Sequence, residues 1–480
     1  MAEQIYDERS GTAPDEEGYA RGLGSRQIQM IAIGGAIGTG LFLGAGTAIS
    51  QAGPSLVLSY AVAGVVIFVI MRALGELLTY RPVSGSFAEY AREFVGPFAG
   101  YVTGWTYWLF WVVTGMAETT AAAVYVRFWA PAVPQWISAL VFLLVLYAAN
   151  LISVRLFGEI EFWFSMVKVT AIIGMILIGV GVLTLGFSDA GDTASVTHLW
   201  EHGGFFPKGV GSTVMTLQIV MFAYLGVELV GVTAGESEDP QRTLPRAINT
   251  LPWRIGLFYI GALVIILSLV PWTEFEPGVS PFVAAFGRIG IPAAAGIINF
   301  VVLTAALSSC NSGMYSTGRM LRDLALSGQA PGLLTRLNGS RSPGFAITAS
   351  TLLMGLGVLL NYVAPGKAFV YITSVATVCG LWTWAMILVC QIRYRRAWQG
   401  GRLPAPTFRA PGGLWSSWGA LTFLAVVLVL IAFDSNSRIS LYVFPVWAVL
   451  LVVGYRVLRR TGPQAVPGAA HDQPTARIGG

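Results

Sequence analysis

The chain has 480 residues, 55% of them hydrophobic and 11% charged, with a formal net charge of +5. Soluble domains carry roughly 25% charged residues, so this chain cannot cover a water-soluble surface of its size. Uncharged stretches such as Leu56 to Met71, Val169 to Phe187, Ile255 to Trp272, Ile289 to Met314 and Leu414 to Phe433 outrun the about 10–14 residues of a buried soluble segment and suit a bilayer core.

Residues 1–27 are polar and rich in acid (Glu3, Asp7, Glu8, Asp15, Glu16, Glu17). A cleavable leader needs a basic start and an apolar centre, so this segment reads as a disordered tail and not as a signal peptide. Residues 461–480, with Gly, Pro and Ala, read the same way.

The apolar pattern predicts an all-α integral membrane protein with twelve transmembrane helices. They fall near residues 28–50, 54–79, 98–126, 132–152, 158–186, 209–235, 252–271, 290–318, 344–363, 368–392, 414–433 and 439–457, and are called spans one to twelve below. Lys and Arg in short loops stay on the cytoplasmic side. With the N-terminus inside, 23 of the 29 basic residues fall on inner segments or inner helix ends, Arg127, Lys208, Arg288, Lys367 and Arg438 fall on outer segments, and Lys168 lies deep inside a span. Both termini are therefore predicted to be cytoplasmic. The positive charge is a topology signal and needs no nucleic acid.

Span one contains IAIGGAIGTGLFLGAG, residues 31 to 46. Each glycine costs about 1 kcal/mol in a helix relative to alanine. Two readings stand. The GxxxG pairs Gly34/Gly38 and Gly40/Gly44 permit close helix packing. Alternatively the helix unwinds at mid-membrane, where freed N–H groups suit a carboxylate and freed carbonyls an ammonium. A dinucleotide-binding loop is excluded by the membrane-length setting and the lack of a preceding strand.

In span three, Glu118 reads as a cavity residue, a structural partner or a proton site. The aromatics Trp105, Tyr107, Trp108, Phe110 and Trp111 read as packing, with one or two as substrate lids. Glu76, four residues after Arg72 in span two, predicts a helix-surface pair. Lys168 stands about ten residues, or about 15 Å, into span five. At that depth a charge costs at least about 2.5–3.5 kcal/mol. It is either a structural cation or a group whose proton occupancy is coupled to substrate.

Span six contains VMFAYLGVELVGVTAGE, residues 220 to 236, with Gly226, Gly231, Gly235 and the acid Glu228. Glycine-interrupted helices at matching places in two halves mark transporter sites. Phe222 and Tyr224 flank this second break and suit a lid, while Glu228 suits a site or gating role. Glu236 ends the span as a possible seal. In span eight, Ser308, Ser309, Asn311 and Ser312 form a polar patch for interhelical hydrogen bonds or a cavity wall. Cys310, Cys379 and Cys390 lie in apolar runs, and His198, His202 and His471 lie in loops or the tail. No metal site, cofactor, disulfide framework or catalytic constellation is predicted, and the chain is not expected to be an enzyme.

Several ordered segments carry a family resemblance: IAIGGAIGTGLFLGAG, MRALGEL (71–77), AGYVTGWTYW (99–108), GEIEFWFSMVKV (158–169), FAYLGVELVGVTAGE (222–236), PRAIN (245–249), the long run PFVAAFGRIG to GRML (281–321) and SRISLYV (437–443). Together they resemble the bacterial amino-acid permease branch of the amino acid–polyamine–organocation superfamily. That resemblance implies a five-plus-five inverted repeat, residues 28–186 and 209–392, with spans one and six broken and two accessory helices at 414–457. It implies binding of the α-carboxylate by Ile37, Gly38, Thr39 and Gly40, and of the amino group by the carbonyls around Phe222, Ala223, Tyr224 and Gly226. It implies that Lys168 stands where related carriers hold a sodium ion, with Glu118 at an acid-bearing position of span three. The expected function is proton-coupled import of a neutral amino acid through the bacterial cytoplasmic membrane. The segment from Glu16 to Gly46 resembles asparagine permeases; TYWLFWVVTGMAE (106–118) resembles D-serine/D-alanine/glycine carriers, and parts of 281–443 resemble proline and γ-aminobutyrate permeases. An exchanger of the same fold is the competing reading.

Overall fold

The computed structural model describes residues 38–82, 86–152, 154–186, 194–232, 240–289 and 293–461. Apart from Thr461, the two predicted tails lie outside the described residues, as do Ile37, Gly34, Gly35, Gly235 and Glu236. Among the described residues every regular element is a helix, and ten helices are long and apolar enough to cross a membrane. Their outward faces carry large apolar side chains, with Leu352 74% and Phe433 75% exposed. Such a surface is stable against lipid and not against water. The chain is an integral membrane protein.

Three predicted spans look different in the structure. Spans one and two form a single helical run, Gly40–Tyr80. The run is interrupted at Gly53, whose φ of 65° and ψ of −145° lie where side chains are strained, and Pro54 follows. Span six is divided into short helices at Gly209–Met215, Leu217–Ala223 and Leu229–Val232. Its apolar part, Gly209–Ala223, falls short of membrane length. Spans eight and ten run further at their C-terminal ends than expected. Span eight is Ala294–Leu326 and span ten Pro365–Gln399, each with a basic end projecting beyond the apolar stretch.

Span three, Pro97–Val126, is the axis of the molecule. Its apolar window is 83% buried, whereas that of Ile439–Arg459 is 6% buried. It packs against spans four, eight, nine and ten. Small residues allow the close approach: a Cβ on Gly115 would come within 2.8 Å of Met354, and one on Gly357 within 2.7 Å of Met116. This explains the crowded aromatics. Tyr107, Trp108, Phe110 and Trp111 are all buried.

Spans one, two, six and seven form a second group. A polar seam fastens span six to the start of span two. Ser55 Oγ lies 2.6 Å from Thr213 Oγ1, and Ser59 Oγ donates to the Thr213 carbonyl at 2.9 Å.

The predicted Arg72–Glu76 surface pair is corrected. Arg72 donates to Asn249 Oδ1 at 2.6 Å and lies over the Phe408 ring. Glu76 is fully buried and makes a two-pronged ion pair with Arg395 of span ten, Nε to Oε1 at 2.6 Å and Nη2 to Oε2 at 2.7 Å. The Ala410 N–H and Gln391 Nε2 also donate to Oε2, at 2.9 and 3.3 Å. A helix surface was expected because i, i+4 spacing is visible in sequence; a partner 319 positions away is not. The pair fixes the connection after span ten to span two.

Removing one member of a buried ion pair leaves the other uncompensated. Glu76→Ala should therefore destabilise the protein by about 3–5 kcal/mol, read as a fall in melting temperature in detergent. The double variant Glu76→Leu/Arg395→Met should lose less than either single variant.

Candidate functional site

The backbone of span one enters the described region at a bend at Gly38, continues through Thr39 and then makes a π-helical turn over Gly40–Gly44. π-turns inside helices expose local backbone groups and recur at functional sites. Gly40 and Ala223 meet backbone to backbone: a Cβ on Gly40 would lie 2.4 Å from Ala223 Cα. Thus the first helix and the end of the first part of span six touch at the one residue type that allows it.

The second break spans Tyr224 to Glu228, between the helices Leu217–Ala223 and Leu229–Val232. Gly226 has φ of 97°, a conformation that favours glycine. A broken helix frees N–H groups that lipid cannot satisfy. Glu228 meets one of them: its Oε2 accepts from the Gly226 N–H at 3.1 Å and from Trp384 Nε1 at 3.2 Å. Its Oε1 accepts from the Tyr107 hydroxyl at 3.5 Å. Glu228 thereby ties the break to spans three and ten.

The aromatic residues beside this break have separate surroundings. Tyr224 is fully buried, donates to the Tyr60 carbonyl at 2.8 Å and stacks on Tyr259 with ring centroids 4.8 Å apart. Tyr259 donates its hydroxyl to the Ala223 carbonyl at 3.2 Å. The Tyr224 ring therefore belongs to the packing of spans two, six and seven, and only its backbone remains for a ligand. Phe222 is 6% exposed and meets Phe369 edge-on.

A second constellation lies on the other side of span one. Glu118 is buried with its carboxyl beside Thr39 and Ser309. A Cβ on Gly38 would come 2.8 Å from Glu118 Oε1 and 3.4 Å from Ser309 Oγ. Both Glu118 Oε2 and Thr39 Oγ1 are buried without a hydrogen-bond partner among the described residues. Lys168 is fully buried and interacts electrostatically with Glu161 and Glu118. Glu161 Oε1 accepts from Ser308 Oγ at 2.7 Å and from Ser165 Oγ at 3.3 Å.

The structure thus brings Gly38, Thr39 and Glu118 together, sets Lys168 within electrostatic reach, and joins Gly40 to Ala223. Glu228 is separate, across the second break. Ile37 lies outside the described residues. Sequence reasoning missed Glu161, Tyr107 as a donor, and Trp384. The signal for Glu161 was present: it precedes Lys168 by seven residues, two helical turns, so both project from one face. Ser165 stands between them on that face. The polar patch on span eight divides: Ser308 serves Glu161, Ser309 faces Glu118, and Asn311 Oδ1 accepts from Asn150 at 2.9 Å.

Comparison with known proteins fits this architecture. The family described as "Amino acid permease" matches residues 27–467. An uncharacterized amino acid permease YtnA of Bacillus subtilis is 48% identical over 91% of this chain and 94% of its own length. The probable threonine/serine transporter YbxG of the same organism is 46% identical over 91% and 94%, respectively. The L-asparagine permease of Escherichia coli is 45% identical over 93% of this chain and 90% of its own length. These relatives are permeases and transporters, not enzymes. With the match running through the π-turn of span one, the break in span six and the buried Glu118–Lys168–Glu161 group, the chain belongs to the amino acid permease family.

Proposed function

We propose that the protein imports a neutral amino acid, L-asparagine foremost, by proton symport across a bacterial cytoplasmic membrane. The carrying observation is the contact of the π-turn of span one with the end of the helix Leu217–Ala223, at Gly40 and Ala223, beside a buried group of mixed charge. In this reading the N–H groups around Ile37 to Gly40 hold the substrate carboxylate, and carbonyls at Phe222 to Gly226 hold its ammonium. Such backbone recognition reads the part common to all α-amino acids and leaves the side chain to other walls. Asparagine is favoured by the segment from Glu16 to Gly46 and by the E. coli relative at 45% identity. Serine, threonine, glycine or a D-amino acid is the next class to compare.

The architecture proposed is twelve spans. The Gly40–Tyr80 run counts as two because of the interruption at Gly53, and the pieces of span six count as one. Residues 28–186 and 209–392 form the two inverted repeats, with both termini cytoplasmic. Spans one, two, six and seven rock against spans three, four, five and eight.

Proton coupling rests on charge arithmetic. Lys168 supplies one positive charge, and Glu118 and Glu161 two carboxyls, all buried. The group is neutral when one carboxyl carries a proton, and uncompensated charge inside a membrane is costly. Glu118 is the proposed proton carrier, since its carboxyl faces Thr39 beside the bend of span one; an Oε2 without a partner among the described residues is common to Glu118 and Glu161 and does not separate them. Glu161, held by serines, is the fixed counter-charge. Substrate and proton must favour the same conformation, because equal affinity for both would shift nothing.

In proteoliposomes, labelled L-asparagine should accumulate when the outside is made acidic and should not accumulate without the gradient. Uptake indifferent to the gradient would instead identify an exchanger. Lys168→Met should reduce gradient-driven accumulation by about tenfold or more, the scale of 1.4 kcal/mol or more in coupling, with folding checked by gel filtration. Undiminished accumulation in that variant would sink the role assigned to Lys168. Gly40→Val should abolish uptake, since its side chain would meet the Ala223 backbone; substrate-induced thermal stabilisation should vanish with it.

A further inference from the structure

The segment HLWEH, residues 198–202, lies outside the spans and takes no part in the site above. His198–Glu201 forms one helical turn, and His202 follows it. The spacing i, i+3, i+4 sets three donor side chains on one face of a turn. One ligand atom from each of His198, Glu201 and His202 lies within 4.8 Å of the others. A tetrahedral ion with bonds of about 2.0–2.2 Å sets its ligand atoms about 3.4 Å apart. Small rotations of the two exposed side chains close that gap.

His198 is prepared for this role. It is 8% exposed, and its Nδ1 lies 3.1 Å from the Ser268 carbonyl. A carbonyl only accepts, so Nδ1 carries the proton and Nε2 keeps the lone pair. A histidine fixed by a backbone carbonyl through its other nitrogen is the usual support of a metal ligand. The same Ser268 carbonyl accepts from the Ser195 N–H at 3.0 Å, and the His202 carbonyl accepts from Trp272 Nε1 at 2.9 Å. The turn is thereby held at both ends to the end of span seven.

We infer that His198, Glu201 and His202 bind a divalent transition metal of the Zn2+ class, with water in the fourth position, and that occupancy slows transport. Two imidazoles and a carboxylate suit Zn2+ and disfavour Mg2+, which takes oxygen ligands in octahedral geometry. The slowing follows from what the loop touches. A Cβ on Gly53 would come 2.6 Å from Pro207 and 3.2 Å from Trp272. A metal that stiffens residues 198–202 against Trp272 therefore restrains the interruption between spans one and two. This second part rests on the transport reading; the binding does not.

The test is titration of the purified full-length protein in nanodiscs with Zn2+ alone, and with Co2+ for its visible bands. One equivalent of Zn2+ should bind, Mg2+ should not compete, and Co2+ should give the intense bands of tetrahedral coordination. His202→Ala, at an exposed position, should weaken binding by about tenfold or more, as should His198→Ala. Zn2+ should slow uptake by the unaltered protein and not by His202→Ala. Absence of stoichiometric binding, or equal affinity in both variants, would overturn the site. Metal binding lost in the variants while uptake by the unaltered protein ignores Zn2+ would overturn the brake. Absence of uptake under every condition, with binding intact, would count against the transport reading and not against the metal.

Discussion

Inside a bilayer a backbone polar group must find its partner within the protein. That constraint organises the centre of this molecule. An interrupted helix would expose unsatisfied groups to lipid. Here the interruption of span six is set against the π-turn of span one and walled by other spans. Gly40 allows Ala223 to approach its backbone. Glu228 accepts from the Gly226 N–H, and Tyr259 donates to the Ala223 carbonyl. The break in span six is thus partly satisfied by side chains.

The charged residues follow from the same rule. Glu76, Glu118, Glu161, Lys168 and Glu228 are all buried, and none stands alone. Glu76 is matched by Arg395 with near-ideal geometry, two prongs and a backbone donor. That arrangement is a strong fixed contact. The Glu118–Lys168–Glu161 group is different in kind: an excess of carboxyls over cations, with hydroxyls from spans five and eight around it. The first arrangement suits a clamp and the second suits a site whose charge changes.

Much of this was legible in the sequence. The apolar runs define membrane helices because lipid imposes length and composition together. The glycine clusters of spans one and six stood out because glycine is costly in a helix unless geometry requires it. Lys168 stood out because a lone charge in an apolar run is expensive. Glu161 does not stand out in the sequence because it sits near the end of a run, two residues after Glu159, where a solvated acid is ordinary. Only the third dimension brings Ser308 to it. Glu76 was assigned to Arg72 for the same reason in reverse: local spacing suggested a partner, while the real one arrives from span ten. The aromatics Tyr107 and Trp384 could not be picked from among many neighbours, since their role depends on one hydrogen atom pointing at Glu228.

The tyrosines of spans two, six and seven carry a mechanical consequence. Tyr224 donates to the Tyr60 carbonyl, Tyr259 donates to the Ala223 carbonyl, and the three rings pack on one another. The Tyr224 hydroxyl ties span six to the main chain of span two and the Tyr259 hydroxyl ties span seven to the main chain of span six, so span six cannot slide against either neighbour without losing a bond in a medium that offers no replacement. The three behave as a riveted plate. The residues lining the second break are therefore coupled by these contacts to spans two and seven, and any displacement there must either carry its neighbours along or break a bond.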